Sequence, residues 1–346
     1  MRPARGWLMW IPLTLVCVAT VACVGEPSGA GDLAAAAVAP TGDVRVAVIV
    51  ATFSSYPPAP ADAMDRARAV MGRVDAFYRE QSYGQLRLTS DVYGLYTIPY
   101  SSSYSTNVSA SDQAALDAGV DLSSYTAFYY LYPTGAPPGA LANSYDSTFS
   151  NIAHELGHHI FGYYHHEHGI RCDSVTGTCA SEEYGNRLSV MGLGQGHFSG
   201  MLKAGFGWLP PPQLIETSGD YTIEPLAAPP SGGAKTLTFN VCWSRWCTAY
   251  TLEYRQPIGF DDVPRSSTYD WNNVFGGVLF YGGSGSRLDL GTTLLQMTPY
   301  VIGTAQAPAL AVGQSFCHKE GKVRVTVLSA DATGARVRIT YRTRCP

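Results

Sequence analysis

Charge is scarce in this chain. Asp, Glu, Lys and Arg make up 14% of its 346 residues, with 23 basic against 27 acidic side chains and a formal net charge of -4. No run of Lys or Arg occurs, so the electrostatic footprint of a nucleic-acid-binding surface is missing and that class is set aside. Beyond the first residues no apolar stretch is long enough to cross a bilayer. No C-x-x-C pair occurs, which argues against a zinc site built from cysteines. Internal repeats are absent too, and the only low-complexity tract is VGEPSGAGDLAAAAVAPTG, residues 24–42, which reads as a linker.

What is present begins with MRPARGWLMWIPLTLVCVATVAC. A basic start at Arg2 and Arg5, an apolar stretch interrupted by Pro12, and small residues at the end make a secretory signal over 1–23. The alternative is a bacterial lipoprotein signal with Cys23 as the acylated residue, although Thr20 stands where such signals usually carry Leu. Simple secretion is preferred, so the expected location is extracellular, with a lipid anchor at the bacterial cell surface as the alternative. With Cys17 and Cys23 set aside, an even number of cysteines remains in an exported chain, and disulfides are the default. Local spacing pairs Cys172 with Cys179, Cys242 with Cys247, and Cys317 with Cys345.

Nearly half the residues are hydrophobic, enough for two cores and hence two domains. The segment 43–212 reads as a mixed α/β layer. VRVAVIV suits a buried strand, and 61–81 carries Val70, Met71, Val74, Phe77 and Tyr78 at helical spacing. SYGQLRLTSDVYG is a strand, an Ala-rich helix lies near 111–118, and AFYYLY is another strand. After LPPPQ the texture changes. Short alternating segments from Tyr221 onward (YTIEPL, KTLTFNV, TAYTLEYR, GGVLFYG, KVRVTVLS, ARVRITYR) predict an antiparallel β-sandwich or barrel over 213–346. The fold class is therefore α+β.

The chemistry concentrates in HELGHHIFGYYHHEH, residues 154–168. His154, Glu155 and His158 form H-E-x-x-H within a helix predicted to stop at Gly162. Residues four apart share a helical face, so His154 and His158 present their rings to one point while Glu155 sits a quarter turn away. Two neutral imidazoles hold zinc in such a motif, and the carboxylate serves as general base toward water. His159 has Glu155 four residues before it and cannot be one of the helical pair. The third ligand is expected after the Gly162 turn at His165, one residue later than in H-E-x-x-H-x-x-G-x-x-H, with His166 and His168 as alternatives. A chance pentapeptide followed by a solvated histidine loop is the bland reading.

A second segment weighs against chance. EYGNRLSVMGLGQGHFSGMLKAGFGWL, residues 183–209, resembles gametolysin-type metallopeptidases of the metzincin group in Glu183-Tyr184-Gly185, Met191-Gly192, His197-Phe198, Lys203 and Gly207-Trp208. Asn186 stands where that pattern has Asp. FYREQSYGQLRLTSDVYGLYTIP, AGVDLSSYTAFYYLYP, YTIEPLA, YTLEYRQPIGFD and TTLLQMTP extend the resemblance from about residue 43 to the end. It implies a metzincin-like catalytic domain followed by a β-domain, with Met191 in the Met-turn as an apolar floor under the zinc-bound imidazoles.

The expectation is a secreted zinc endopeptidase using Zn2+ on His154, His158 and His165, with Glu155 as base and an extended polypeptide as substrate, added to an edge strand such as AFYYLY. The alternative is an inactive binding or adhesion protein on the same scaffold, disabled by the added residue and by Asn186. A zinc hydrolase acting on another bond is a third reading. His197, at the start of a helix, is expected to hydrogen-bond structurally. Asn107-Val108-Ser109 matches a glycosylation acceptor.

Overall fold

The computed structural model describes residues 41–136, 142–145, 147–161, 166–172, 179–243, 246–263, 265, 268–282, 293–298, 305–318 and 322–345. The signal, the linker up to residue 40, Cys23 and His165 lie outside the described residues.

The apolar run at 44–50 becomes the central strand of the first sheet. β1 (Gly42–Phe53) is followed by helix α1 (Ala63–Gln81), β2 (Leu86–Ile98), helix α2 (Tyr104–Asp117), β3 (Ala127–Tyr132), β4 (Ala142–Ser144) and helix α3 (Phe149–Phe161). The sheet order is β2-β1-β3-β4, and every pair is parallel. Side chains alternate across a strand. Val44, Val46, Val48 and Val50 therefore pack with Met71, Val74 and Tyr78 of α1 and Ile152, Leu156 and Ile160 of α3, while Ile49, Ala51 and Phe53 pack with Ala115 of α2. Burial on both faces is why β1 reads as continuous apolar sequence instead of alternating.

β3 is not an edge strand. It is bonded to β1 on one side and β4 on the other, and its residues are nearly all buried, so the free margin there is β4. Asn107 is 1% exposed and exchanges hydrogen bonds with the backbone of Ser101, which excludes it as a glycosylation acceptor in the folded chain.

The second half brings two more sheets together. β5 (Gly169–Cys172), β6 (Cys179–Glu182), helix α4 (Gly200–Gly205), β7 (Gln213–Ile215) and β8 (Gly219–Ile223) are followed by β9 (Thr236–Trp243) and β10 (Trp246–Glu253). Then come helix α5 (Trp271–Gly276), β11 (Gly277–Gly282), β12 (Leu294–Leu295), β13 (Leu310–Ala311), β14 (Ser315–His318), β15 (Val323–Asp331) and β16 (Gly334–Tyr341). The larger sheet runs β6-β5-β12-β11-β10-β9-β7 with β13 against β11, and the smaller runs β14-β15-β16-β8. Leu237, Phe239, Leu252 and Phe280 of the one share a core with Val325, Val327, Val337 and Ile339 of the other. Pairing is mostly antiparallel, but β5 joins β12 and β7 joins β9 in parallel. Through β5 and β6 this sheet reaches back to residues directly after the histidine run, and all described residues belong to one compact unit.

Cys242 is bonded to Cys247 across the β9–β10 hairpin, and Cys317 to Cys345, tying the C-terminal segment to β14. Register places Cys172 opposite Cys179, whose side chains lie outside the described set. No helix among the described residues is long and apolar enough to cross a membrane.

Candidate metal centre

Helix α3 has two working faces. Phe149, Ile152, Ala153, Leu156 and Ile160, at helical spacing, are buried. Tyr78 of α1 donates its hydroxyl to the Ala153 carbonyl, fixing the helix against its neighbour. The other face carries His154 and His158, one turn apart with Nε2 atoms 3.0 Å from each other. His154 Nδ1 donates to the Val190 carbonyl at 2.7 Å. That bond places the proton on Nδ1 and leaves Nε2 with its lone pair directed at His158. Burial, with the nearby rings of His158 and His166, pushes His154 down to about 4, so it is neutral at neutral pH, as a metal ligand must be.

The third imidazole is His166. One ligand atom from each of His154, His158 and His166 lies within 4.8 Å of the others, forming the one metal-competent group among the described residues. Three imidazole nitrogens so placed make a donor set that could hold a transition-metal ion. The His166 ring lies nearly parallel to His154, at 5.5 Å, and edge-on to His158, at 5.1 Å. His168 turns elsewhere: its Nδ1 meets Ser181 Oγ at 3.3 Å and its carbonyl accepts from Leu294.

Glu155 follows His154 on the same helix, and burial raises its carboxyl to about 7. A carboxyl in that range can take up and return a proton near neutral pH.

The segment 183–200 holds the cluster in place. Met191 is buried, and a Cβ on Gly157 would come within 2.7 Å of its sulfur, so the glycine inside H-E-L-G-H is what lets Met191 approach the helix. Gly192 is equally constrained, since a Cβ there would lie 1.9 Å from the Asn186 carbonyl oxygen. Met191 also receives Glu167 N at its carbonyl, at 2.9 Å.

Residue types alone did not point to Glu167, which is fully buried beside His166. Its Oε1 accepts from Ser199 N and its Oε2 from the Asn186 amide, both at 3.1 Å. Arg255, just past the end of β10 and 2% exposed, donates to the carbonyls of His197 and Phe198 and to Glu253 and Asp261. His197 is buried between Lys203 Nζ, 3.0 Å from its Nδ1, and Glu80 Oε1, 3.0 Å from its Nε2. Burial first, then the charges of Lys203 and Arg255, hold its pKa well below the usual range. His197 therefore meets Glu80 as a neutral ring donating one hydrogen bond. Its role is structural and away from the metal group.

No protein-family model matches the chain, and no curated protein matches it closely enough to count as a relative.

Proposed function

We propose that this chain is a secreted zinc endopeptidase of the metzincin type, in which the α/β half is catalytic and the two sheets of the second half form a β-sandwich. One observation carries the reading: His154, His158 and His166 converge while Glu155 projects from the same helix. His154, His158 and His166 would hold Zn2+, which when bound supplies Lewis acidity toward a scissile carbonyl and lowers the pKa of an attacking water.

The protein's own groups do the rest. Val190 O keeps the proton on His154 Nδ1, so that Nε2 remains a ligand. A Glu155 carboxylate oxygen accepts a proton from the water and returns it to the departing amine nitrogen. The free margin of β4 is where an extended polypeptide would add as a strand. Export is supported by the signal pattern of residues 1–23 and by the bonded cysteines. Asn186 does not favour the inactive-scaffold alternative, because its amide has a defined partner in Glu167.

The test is metal analysis of the purified chain beside digestion of casein or gelatin. A single zinc per chain, cleavage abolished by a chelator and restored by zinc, and a Glu155→Gln variant that keeps zinc while losing about 10²–10⁴-fold in turnover are expected. Metal-free protein, or cleavage indifferent to both chelator and Glu155→Gln, would refute the proposal.

A further inference from the structure

Glu183 and Tyr184 are adjacent in sequence, yet both address the His166 imidazole. Glu183 Oε1 lies 2.8 Å from His166 Nδ1, and the Tyr184 ring covers the imidazole face at a centroid distance of 3.7 Å and 30°. The Tyr184 ring also lies 5.8 Å from that of His154. Consecutive side chains of an extended segment point in opposite directions. They meet here because Tyr184 adopts φ +60°, a left-handed conformation that glycine takes freely and other residues rarely do. Such a backbone persists in a non-glycine residue when its surroundings require it, and it gathers at working sites.

We infer that Glu183 and Tyr184 form a clamp that sets the tautomer and plane of His166, making both positioning residues for the metal group. This rests on the metal-centre reading above. His166 lies beyond the end of α3 at Phe161, so the helix does not orient its ring as it does those of His154 and His158. Glu183 takes the proton of Nδ1 as a hydrogen bond, which leaves the lone pair on Nε2. Tyr184 fixes the tilt of the ring. Glu183 is 63% exposed in its side chain, so its effect belongs at the low end of the usual range for such carboxylates.

Two readouts on the full chain test the clamp. Zinc affinity by competition with a chelating dye should weaken about tenfold in Glu183→Ala and recover largely in Glu183→Gln, whose side-chain carbonyl still accepts from Nδ1. Tyr184→Gly should weaken zinc without lowering Tm, since glycine suits the backbone, whereas Tyr184→Phe should bind as the parent does. A merely structural tyrosine would instead lower Tm when removed. The second readout is the imidazole ¹⁵N spectrum of the metal-free protein above pH 8, where His166 should carry its proton on Nδ1 and lose that preference in Glu183→Ala. Parental zinc affinity in Glu183→Ala and Tyr184→Gly, with affinity lost in His166→Ala, overturns the clamp and leaves the metal reading standing. If His154→Ala and His158→Ala also keep parental affinity, the metal reading itself fails. The ¹⁵N result then decides the Glu183 contact, an unchanged tautomer overturning it.

Discussion

Asn186 donates its side-chain amide to Glu167 Oε2 at 3.1 Å, and both residues are fully buried. Leu188 N, at 3.2 Å, occupies the amide's oxygen, so both ends of the group are engaged. The pattern that this segment resembles carries Asp at this position. With Glu167 already supplying a carboxylate, an aspartate would set two acidic groups against each other out of water. Asn186→Asp should therefore cost about 1–3 kcal/mol in urea unfolding at pH 7–8, and the exchanged pair Glu167→Gln with Asn186→Asp should recover most of it. A single variant as stable as the parent would show that the pairing is immaterial.

Gly157 has no room for a side chain while Met191 keeps its place. Gly157→Ala should lower stability by about 1–3 kcal/mol through overpacking. Combining it with Met191→Ala should cost less than the two separate losses added together, because the double variant removes the clash. Strict additivity in thermal or urea unfolding would contradict this contact.

Arg255 satisfies two carbonyls and two carboxylates in a buried site. Removing one partner of a buried ion pair strands the other charges, so Arg255→Ala should cost about 3–5 kcal/mol. Lysine lacks the planar fork and should restore little of this. A loss below about 1 kcal/mol would mean that Glu253 and Asp261 find other partners.

His197 makes stability fall on acidification. Its folded pKa is depressed, so above the unfolded value of about 6.5 both states are neutral and it contributes no slope. Below that value the unfolded chain binds a proton that the folded chain refuses, and unfolding free energy drops by up to about 1.4 kcal/mol per pH unit. Comparing the parent with His197→Gln from pH 7 to 5 should show this one-proton difference in slope. Parallel pH profiles would rule it out.

The third ligand is separable by substitution. His166→Ala should lose zinc in equilibrium dialysis, as His154→Ala and His158→Ala do, while His165→Ala should retain it. The reverse pattern would return the role to His165.

Local periodicity carried much of the fold. AFYYLY is β3 residue for residue, the 3.6-residue spacing of Val70, Met71, Val74, Phe77 and Tyr78 marked α1, and alternation marked β15 and β16. The same logic placed His154 and His158 on one face, since four residues along a helix is a fixed rotation. Local spacing likewise anticipated Cys242 with Cys247 and Cys317 with Cys345.

What local pattern could not supply is which sequence-distant groups meet. Whether AFYYLY is an edge depends on β4 pairing beside it, and whether Asn107 is accessible depends on its bonds to Ser101. The arrival of His166 beside His154 depends on the path of the chain after α3, and its tautomer on Glu183. The burial of Glu167 depends on Asn186 and Ser199. The sequence by itself determined the helix, its two histidines and its carboxylate, because those positions are related by a repeating backbone rotation. Tertiary structure alone decided which described histidine joins them and what holds it, because those contacts form through packing and hydrogen bonds between segments whose separation along the chain carries no periodic signal.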